Sequence, residues 1–287
     1  MKKLLYVVLA AIACITFYAC SEKEIKVNVM SFNIRMDNPE DSLNNWKYRK
    51  DVAAQIIKDQ NIDIVGTQEV LHNQLQDLLE RLPEYTSVGV GREDGKEKGE
   101  YSALFYKKDR FEEVESGTFW LSETPEVAGS KGWDGACERV ASWAILKEKE
   151  TGKQIFAINT HLDHVGKVAR QEGVTLLINR AKELSKGLPV IITGDFNAEH
   201  HTSVIKHVLD ENNPLQLFDS RTLPFAEDEA EWTFHDFGRL PEGERPYIDY
   251  IFVSSGILVD DYRVMDEKLN DVYLSDHRPI VARMTIK

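Results

Sequence analysis

The sequence predicts two packed β-sheets with helices on their outer faces. Three observations carry this. Short apolar runs of strand type recur from residue 25 to the end of the chain. A few amphipathic helical stretches are interspersed among them. No composition shift, internal repeat or low-complexity segment divides the 287 residues. Many strands with few helices are satisfied by sheet packed on sheet, with the helices outside. A chain of this length supports one large core without requiring a second domain, so residues 25–287 are read as a single domain.

In order, residues 25–32 alternate Ile25, Val27 and Val29 against Lys26, Asn28 and Met30, a strand of period two. Residues 49–58 read as a helix with Val52, Ile56 and Ile57 toward one side. Residues 62–66 form a short apolar strand leading into Gln68-Glu69. Leu71, Leu75, Leu78, Leu79 and Leu82 recur at helical spacing, and Pro83 ends that helix. Strand-like runs follow at 85–90, 102–106, 140–146 and 154–159. Residues 91–99 make a charged, glycine-punctuated loop, and 120–135 a second long connection carrying Trp120 and Trp133. Residues 168–184 read as a helix and 189–193 as a buried strand. Residues 218–240 read as mostly irregular, before closing strands at 248–253 and 281–286.

Lys2 and Lys3 precede an uncharged stretch from Leu4 to Ala19, too short for a membrane span of roughly 20 residues. A basic start followed by such a stretch reads as a secretory signal, here residues 1–19. Phe17-Tyr18-Ala19-Cys20 resembles a bacterial lipoprotein box, which makes Cys20 the lipidated first residue and residues 20–24 a tether. The alternatives are an ordinary cleaved signal and an uncleaved anchor. The lipoprotein reading implies export and a membrane-anchored protein of the periplasm or cell surface. The formal charge is −13, or −15 once Lys2 and Lys3 are removed, and no basic block stands out. Tight non-specific duplex binding rests on a basic footprint, so this balance argues against a processive nuclease. With Cys20 lipidated, Cys137 alone remains beyond it, and one thiol forms no internal disulfide.

Polar groups of one chemical kind end several of these strands. Glu69 follows an apolar strand, and a rigidly held carboxylate is a natural ligand for Mg²⁺. Asp195 and Asn197 follow Val190-Ile191-Ile192-Thr193-Gly194, a strand and a glycine that aim two polar groups past a sheet edge. His277 is a candidate base. Asp249, flanked by Ile248, Tyr250, Ile251 and Phe252, is costly to bury without a partner and is the candidate carboxylate for its second nitrogen. His161 also follows an apolar strand, in His161-Leu162-Asp163-His164. A zinc site there lacks a cysteine partner in the local sequence. His164 is left without a role, and His200 and His201 read as solvent-exposed.

Taken in order, Ser31-Phe32-Asn33-Ile34, Gln68-Glu69, Thr160-His161, Gly194-Asp195-Phe196-Asn197, Ile248-Asp249-Tyr250 and Ser275-Asp276-His277 resemble the endonuclease/exonuclease/phosphatase superfamily over residues 25–287. Asn33-Ile34-Arg35, Gly89-Val90-Gly91-Arg92, residues 117–122 and Gly132-Trp133-Asp134 point within it to bacterial secreted relatives of the deadenylase–nocturnin branch. The resemblance implies a four-layer α/β/β/α sandwich of two mostly antiparallel sheets. It also implies a Mg²⁺ or Mn²⁺ ion on Glu69, helped by Asn33, Asp276 or both, and a phosphate contact from Arg92. An arginine is expected before Ile248-Asp249-Tyr250; Tyr247 stands there, and Arg245 is the nearest substitute.

The expected activity is divalent-metal-dependent hydrolysis of a phosphate ester. Water attacks with His277 as base and Asp249 as its orienter; Asp195 and Asn197 hold the water or phosphate, and His161 neutralises charge on the phosphoryl oxygens. A phosphodiesterase of nuclease or deadenylase type is the first expectation. Phospholipid (sphingomyelinase-like) and sugar or inositol phosphates are the alternatives, and a non-catalytic binding lipoprotein is the alternative of another class. No protein partner is implied. Exposed tryptophans, with Trp120 and Trp133 as candidates, would favour single-stranded nucleic acid. An apolar rim would favour lipid, and a small closed pocket a monoester.

Overall fold

The computed structural model describes residues 24–222 and 230–287. The signal segment, Cys20 and the tether up to residue 23 lie outside the described residues. The elements are β1 (Ile25–Asn33), α1 (Trp46–Asp59), β2 (Ile64–Val70), α2 (His72–Arg81), β3 (Tyr85–Val88), β4 (Tyr101–Lys107), β5 (Phe111–Trp120), β6 (Val140–Glu148) and β7 (Gln154–His161). They continue with α3 (Lys167–Leu184), β8 (Val190–Asp195), α4 (Ser203–Val208), β9 (Leu217–Asp219), β10 (Asp249–Ser254), β11 (Ile257–Val264), β12 (Lys268–Leu269), β13 (Val272–Tyr273) and β14 (Ile280–Ile286).

Two six-stranded sheets run in the orders β11-β14-β1-β2-β4-β3 and β5-β6-β7-β8-β10-β9, with β12-β13 as a separate small pair. Each large sheet has one parallel pair at its centre, β1 with β2 and β7 with β8. The crossover of the first passes through α1 and that of the second through α3. The other pairings are antiparallel. The helices of the first sheet, α1 and α2, bury Ala53, Ala54, Ile57, Leu75 and Leu78 against Met30, Phe32, Val65 and Phe105. The second, larger core joins Val27, Val29 and Leu104 of the first sheet to Ile145, Ile158 and Ile191 of the second, and on to Val174, Leu177 and Ile178 of α3. Each fully buried side chain of this size contributes about 1.5–3 kcal/mol. The layers are therefore α/β/β/α.

The interior is not wholly apolar. Asn159 Nδ2 donates to the carbonyls of Thr67 (2.8 Å) and Ala103 (3.0 Å) in the opposite sheet, while its Oδ1 accepts from Gln68 Nε2 (2.7 Å) and Thr193 Oγ1 (3.0 Å). The strands approach so closely here that a Cβ on Gly66 would lie 1.9 Å from Thr193 Oγ1. This polar tie locks the two sheets together directly beneath the ends of β1, β2, β7 and β8.

Several strands depart from expectation, two of them long. Residues 111–120 and 257–264, not predicted as strands, form β5 and β11, each an edge strand of its sheet. Both carry acidic residues and a register shift, at 113–115 and 259–261. Edge strands are kept from aggregating by charges and bulges, and the same features blur their apolar alternation. Residues 218–240 also hold β9 and an isolated bridge between Phe234 and His277.

Candidate active site

The parallel pairs place their C-terminal ends side by side, and the antiparallel neighbours begin there. Asn33 ends β1, Glu69 lies near the end of β2, His161 ends β7 and Asp195 ends β8. Asp195 is register partner to His161 on one side and to Asp249 on the other. His277 enters from the loop before β14. These groups line, or lie directly beneath, a cleft of about 350 Å³ walled also by Arg35, Arg92, Glu100, Arg139, His164, Phe234 and Asp276.

Backbone geometry aims two of them. The pairing of β2 with β4 breaks between Thr67 and Val70, and Glu69 in that bulge has φ +60°. Asn197 has φ +47° just past β8, and its amide N–H donates to Asp195 Oδ1 at 2.9 Å. Non-glycine residues held in the left-handed region store strain and cluster at functional sites.

His277 Nδ1 lies 2.8 Å from Asp249 Oδ2, which orients the ring and, whenever it is neutral, leaves the lone pair on Nε2. Nε2 faces Asp195 Oδ2 at 3.7 Å and Asn33 Nδ2 at 3.4 Å. Phe234 covers the imidazole, with ring centroids 4.8 Å apart. Asn33 Nδ2 also donates to Glu69 Oε1 and to Asp195 Oδ2, each at 3.0 Å, while its Oδ1 accepts from Arg35 N. Asn33 thus presents N–H groups to the centre, and its Oδ1, which accepts from Arg35 N, keeps a second lone pair. His161 Nε2 lies 3.4 Å from Asp195 Oδ2, and its buried Nδ1 has no hydrogen-bond partner.

Electrostatics separate these groups. Burial, then the Asp249 charge, push Asp195 up to about 7. Burial and the charge of Glu69 outweigh His277, Arg35 and Arg49 and push Asp276 up to about 6. Burial alone would lower His277, but Asp249, Asp195 and Asp276 push it up to about 10. Glu69 goes the other way: burial is outweighed by His277, Asn33, Arg35 and the Met36 N–H, and its carboxyl is held below the usual range. Burial, with Arg139 and Arg92, drives His161 well below the usual histidine value. This favours the neutral ring, which meets a phosphoryl oxygen with an N–H.

The donor set suits a hard divalent ion. Asp276 is a buried carboxylate and Glu69 a partly buried one, and Arg35 stands 3.7 and 4.0 Å from them. Oxygen donors of this kind match Mg²⁺ or Mn²⁺. Asp195, Asp249 and His277 also bring ligand atoms within 4.8 Å of one another. There the short His277–Asp249 hydrogen bond favours an oriented base over two ligands. A third group, Cys137, Asp163 and His164, supplies the cysteine that the local sequence lacked. Asp163 is already engaged, however, by the N–H groups of Ala136 (2.9 Å), Val165 (2.9 Å) and Gly166 (2.6 Å).

Arg92 reaches the cleft wall and pairs with Glu100 at 2.7 Å. Trp120 is buried, its Nε1 donating to Arg92 O, so it supports that wall instead of offering a stacking face. Trp133 does not line the cleft, and His200 and His201 are exposed. Tyr247 is buried with its hydroxyl on Tyr262, and Arg245 stacks on Trp232 and pairs with Glu267, away from the cleft. Sequence reasoning missed Glu100, Arg139, Asn159 and Thr233. Glu100 closes a charged loop and Arg139 precedes an apolar strand, positions that carry no local signal of a site.

An oriented histidine, buried acids beside it and hard oxygen donors define a metal-dependent phosphoester hydrolase. The chain matches the sequence model of the Endonuclease/Exonuclease/phosphatase family over residues 30–277 and belongs to that family. It is 46% identical to a solved endonuclease/exonuclease/phosphatase from Bacteroides vulgatus (TM-score 0.87; 92% of this chain, 100% of that one). It is 39% identical to a mannosyl-6-phosphatase from Bacteroides thetaiotaomicron (TM-score 0.82; 90% and 99%). Human nocturnin is 29% identical over 230 residues, 74% of this chain and 50% of nocturnin, so the match spans half of that relative.

Proposed function

We propose that this protein hydrolyses phosphate monoesters of sugar-sized alcohols with Mg²⁺ or Mn²⁺ as its ion. The observation that carries the substrate reading is the size and lining of the cleft. About 350 Å³ lies in the range of small-molecule pockets, roughly 300–1,000 Å³. Its walls bear arginines, histidines and carboxylates, and among the described residues Phe234 is the one Phe, Tyr or Trp that lines it, packed on His277. A strand-binding groove needs stacking platforms and a basic track. The likeness to the mannosyl-6-phosphatase supports the same reading. The second reading, phosphodiester cleavage of nuclease type, is supported by the identity to nocturnin.

In this mechanism water sits between His277 Nε2 and Asp195. Neutral His277, held by Asp249, takes its proton as the water oxygen bonds to phosphorus. The ester P–O bond breaks, and the departing alkoxide takes a proton from solvent. Asn197 and Asp195 hold the water's approach, and His161 donates to one of the phosphoryl oxygens, while Arg92, expected on the phosphate, is paired with Glu100. When bound at Glu69 and Asp276, a divalent cation supplies the positive charge that polarises those oxygens. The test is phosphate release from hexose phosphates, inositol phosphates, sphingomyelin and oligonucleotides, with Mg²⁺ and with chelator. Release from a hexose phosphate that stops with chelator supports the monoester reading; cleavage of oligonucleotides alone overturns it. No turnover of any ester would support the binding-lipoprotein alternative.

From the sequence of residues 1–24 we also propose export and lipid anchoring at Cys20. Mass spectrometry of the mature N-terminus should find an acylated Cys20; an unmodified terminus elsewhere overturns this.

A further inference from the structure

The cleft has two halves that meet at His161. One holds Glu69, Asn33, Asp195, Asp276 and His277. The other is formed by Arg92, Glu100, Arg139 and His164 and has no task in the hydrolytic chemistry. Its contents are unusual for a phosphate site. Glu100 places a carboxylate 4.0 Å from His161 Nδ1, where it repels an incoming phosphate dianion. Only its Oε2 is engaged, by Arg92 Nη1 at 2.7 Å; among the described residues no hydrogen bond reaches Oε1. Arg139 is 5% exposed and its Nε stands 3.8 Å from Asp163 Oδ2; among the described residues its Nη1 and Arg92 Nε have no hydrogen-bond partner. The other Arg139 nitrogen, Nη2, lies 2.9 Å from His164 Nδ1. A carboxylate oxygen left open beside two guanidinium groups on one cleft wall points to a ligand that donates to it.

A wall that offers a free carboxylate oxygen beside arginine side chains suits hydroxyls, because each hydroxyl both donates and accepts. It does not suit a chain of phosphates, which would meet Glu100. We propose that Arg92, Glu100 and Arg139 form a sugar-ring subsite, in which Glu100 accepts from ring hydroxyls and the guanidinium groups donate to their oxygens. This rests on the monoester reading above.

The experiment compares kcat/KM for a hexose 6-phosphate, the matching 2-deoxyhexose 6-phosphate and phenyl phosphate in the wild type, Glu100→Gln and Glu100→Asp. Loss of a hydrogen bond to a charged group corresponds to roughly a ten- to hundredfold change. The ratio of hexose ester to phenyl ester should fall by that much in Glu100→Gln. It should fall less in Glu100→Asp, which keeps a charge for Arg92 and serves if the glutamine variant does not fold. Equal losses on hexose and phenyl esters in whichever variant folds overturn the subsite and leave the monoester reading standing. A wild type that cleaves oligonucleotides and no sugar phosphate overturns both.

Discussion

His277 and Asp249 are joined by a 2.8 Å hydrogen bond with both side chains buried, 3% and 1% exposed. The carboxylate fixes which imidazole nitrogen faces Asp195 and the cleft. Removing that constraint should cost catalysis more than binding. Asp249→Asn and His277→Gln should each lower kcat roughly 10²- to 10⁴-fold with little change in KM, and the double variant should lose no more than the worse single one. Steady-state kinetics check this; additive losses would show that the two do not act as a unit.

The acids around the site link metal binding to pH. Asp195 and Asp276 are raised to about 7 and about 6, and His277 to about 10. A raised pKa means that the folded state binds the proton more tightly than the unfolded chain. Each group adds stability below its unfolded value and loses it as pH rises through the folded one. Metal-free protein should therefore lose stability through these groups from about pH 4 toward pH 10. A divalent ion competes with those protons, so the rise in Tm on adding Mg²⁺ should be larger near pH 8 than near pH 5. Melting curves with chelator and with Mg²⁺ measure it. Equal shifts at both pH values would contradict the linkage.

Thr233 ties both members of the dyad together. It is fully buried; its Oγ1 accepts from Ile248 N (3.1 Å) and Asp249 N (3.2 Å), and its carbonyl accepts from Arg278 N (2.7 Å). Thr233→Val orphans two N–H groups and should cost about 1–3 kcal/mol of stability. It should also lower kcat and shift its pH profile, whereas Thr233→Ser should restore both. Loss of stability with an unchanged profile would limit Thr233 to a structural role.

Arg49 organises the opposite side. Fully buried, it donates to the carbonyls of Asn44 (2.5 Å), Ile34 (2.7 Å), Leu274 (3.1 Å) and Arg35 (3.2 Å). These carbonyls belong to the loop after β1 and the loop before β14, which carry Arg35 and Asp276. Arg49→Met leaves carbonyls unpaired and should destabilise the fold by about 3 kcal/mol or more while weakening Mg²⁺ binding. Denaturant melts and metal titration together check it. Unchanged metal affinity would separate Arg49 from the site.

What was legible in the sequence follows from where each group sits. Glu69, His161, Asp195 and Asn197 end or follow central strands, buried on both faces, whose apolar runs are continuous. Asp249 was conspicuous because it begins such a run, and His277 because it precedes the last one. Glu100 and Arg139 gain meaning only when β4 and β6 bring them beside His161, a juxtaposition without local pattern. Thr233 lies in an irregular segment and acts through backbone N–H groups, which leave no trace in side-chain periodicity. The edge strands β5 and β11 pair on one side only and carry charge where central strands carry isoleucine and valine.

The most direct measurement is inorganic phosphate released from a hexose 6-phosphate in Mg²⁺ by the wild type beside Asp195→Ala. Asp195 is the acid on which Asn33, His161, Asn197 and His277 converge. The wild type should release phosphate, chelator should abolish it, and Asp195→Ala should fall by about 10³-fold or more while still melting cooperatively. Undiminished release by a folded Asp195→Ala protein, or release that survives chelation, would contradict the account.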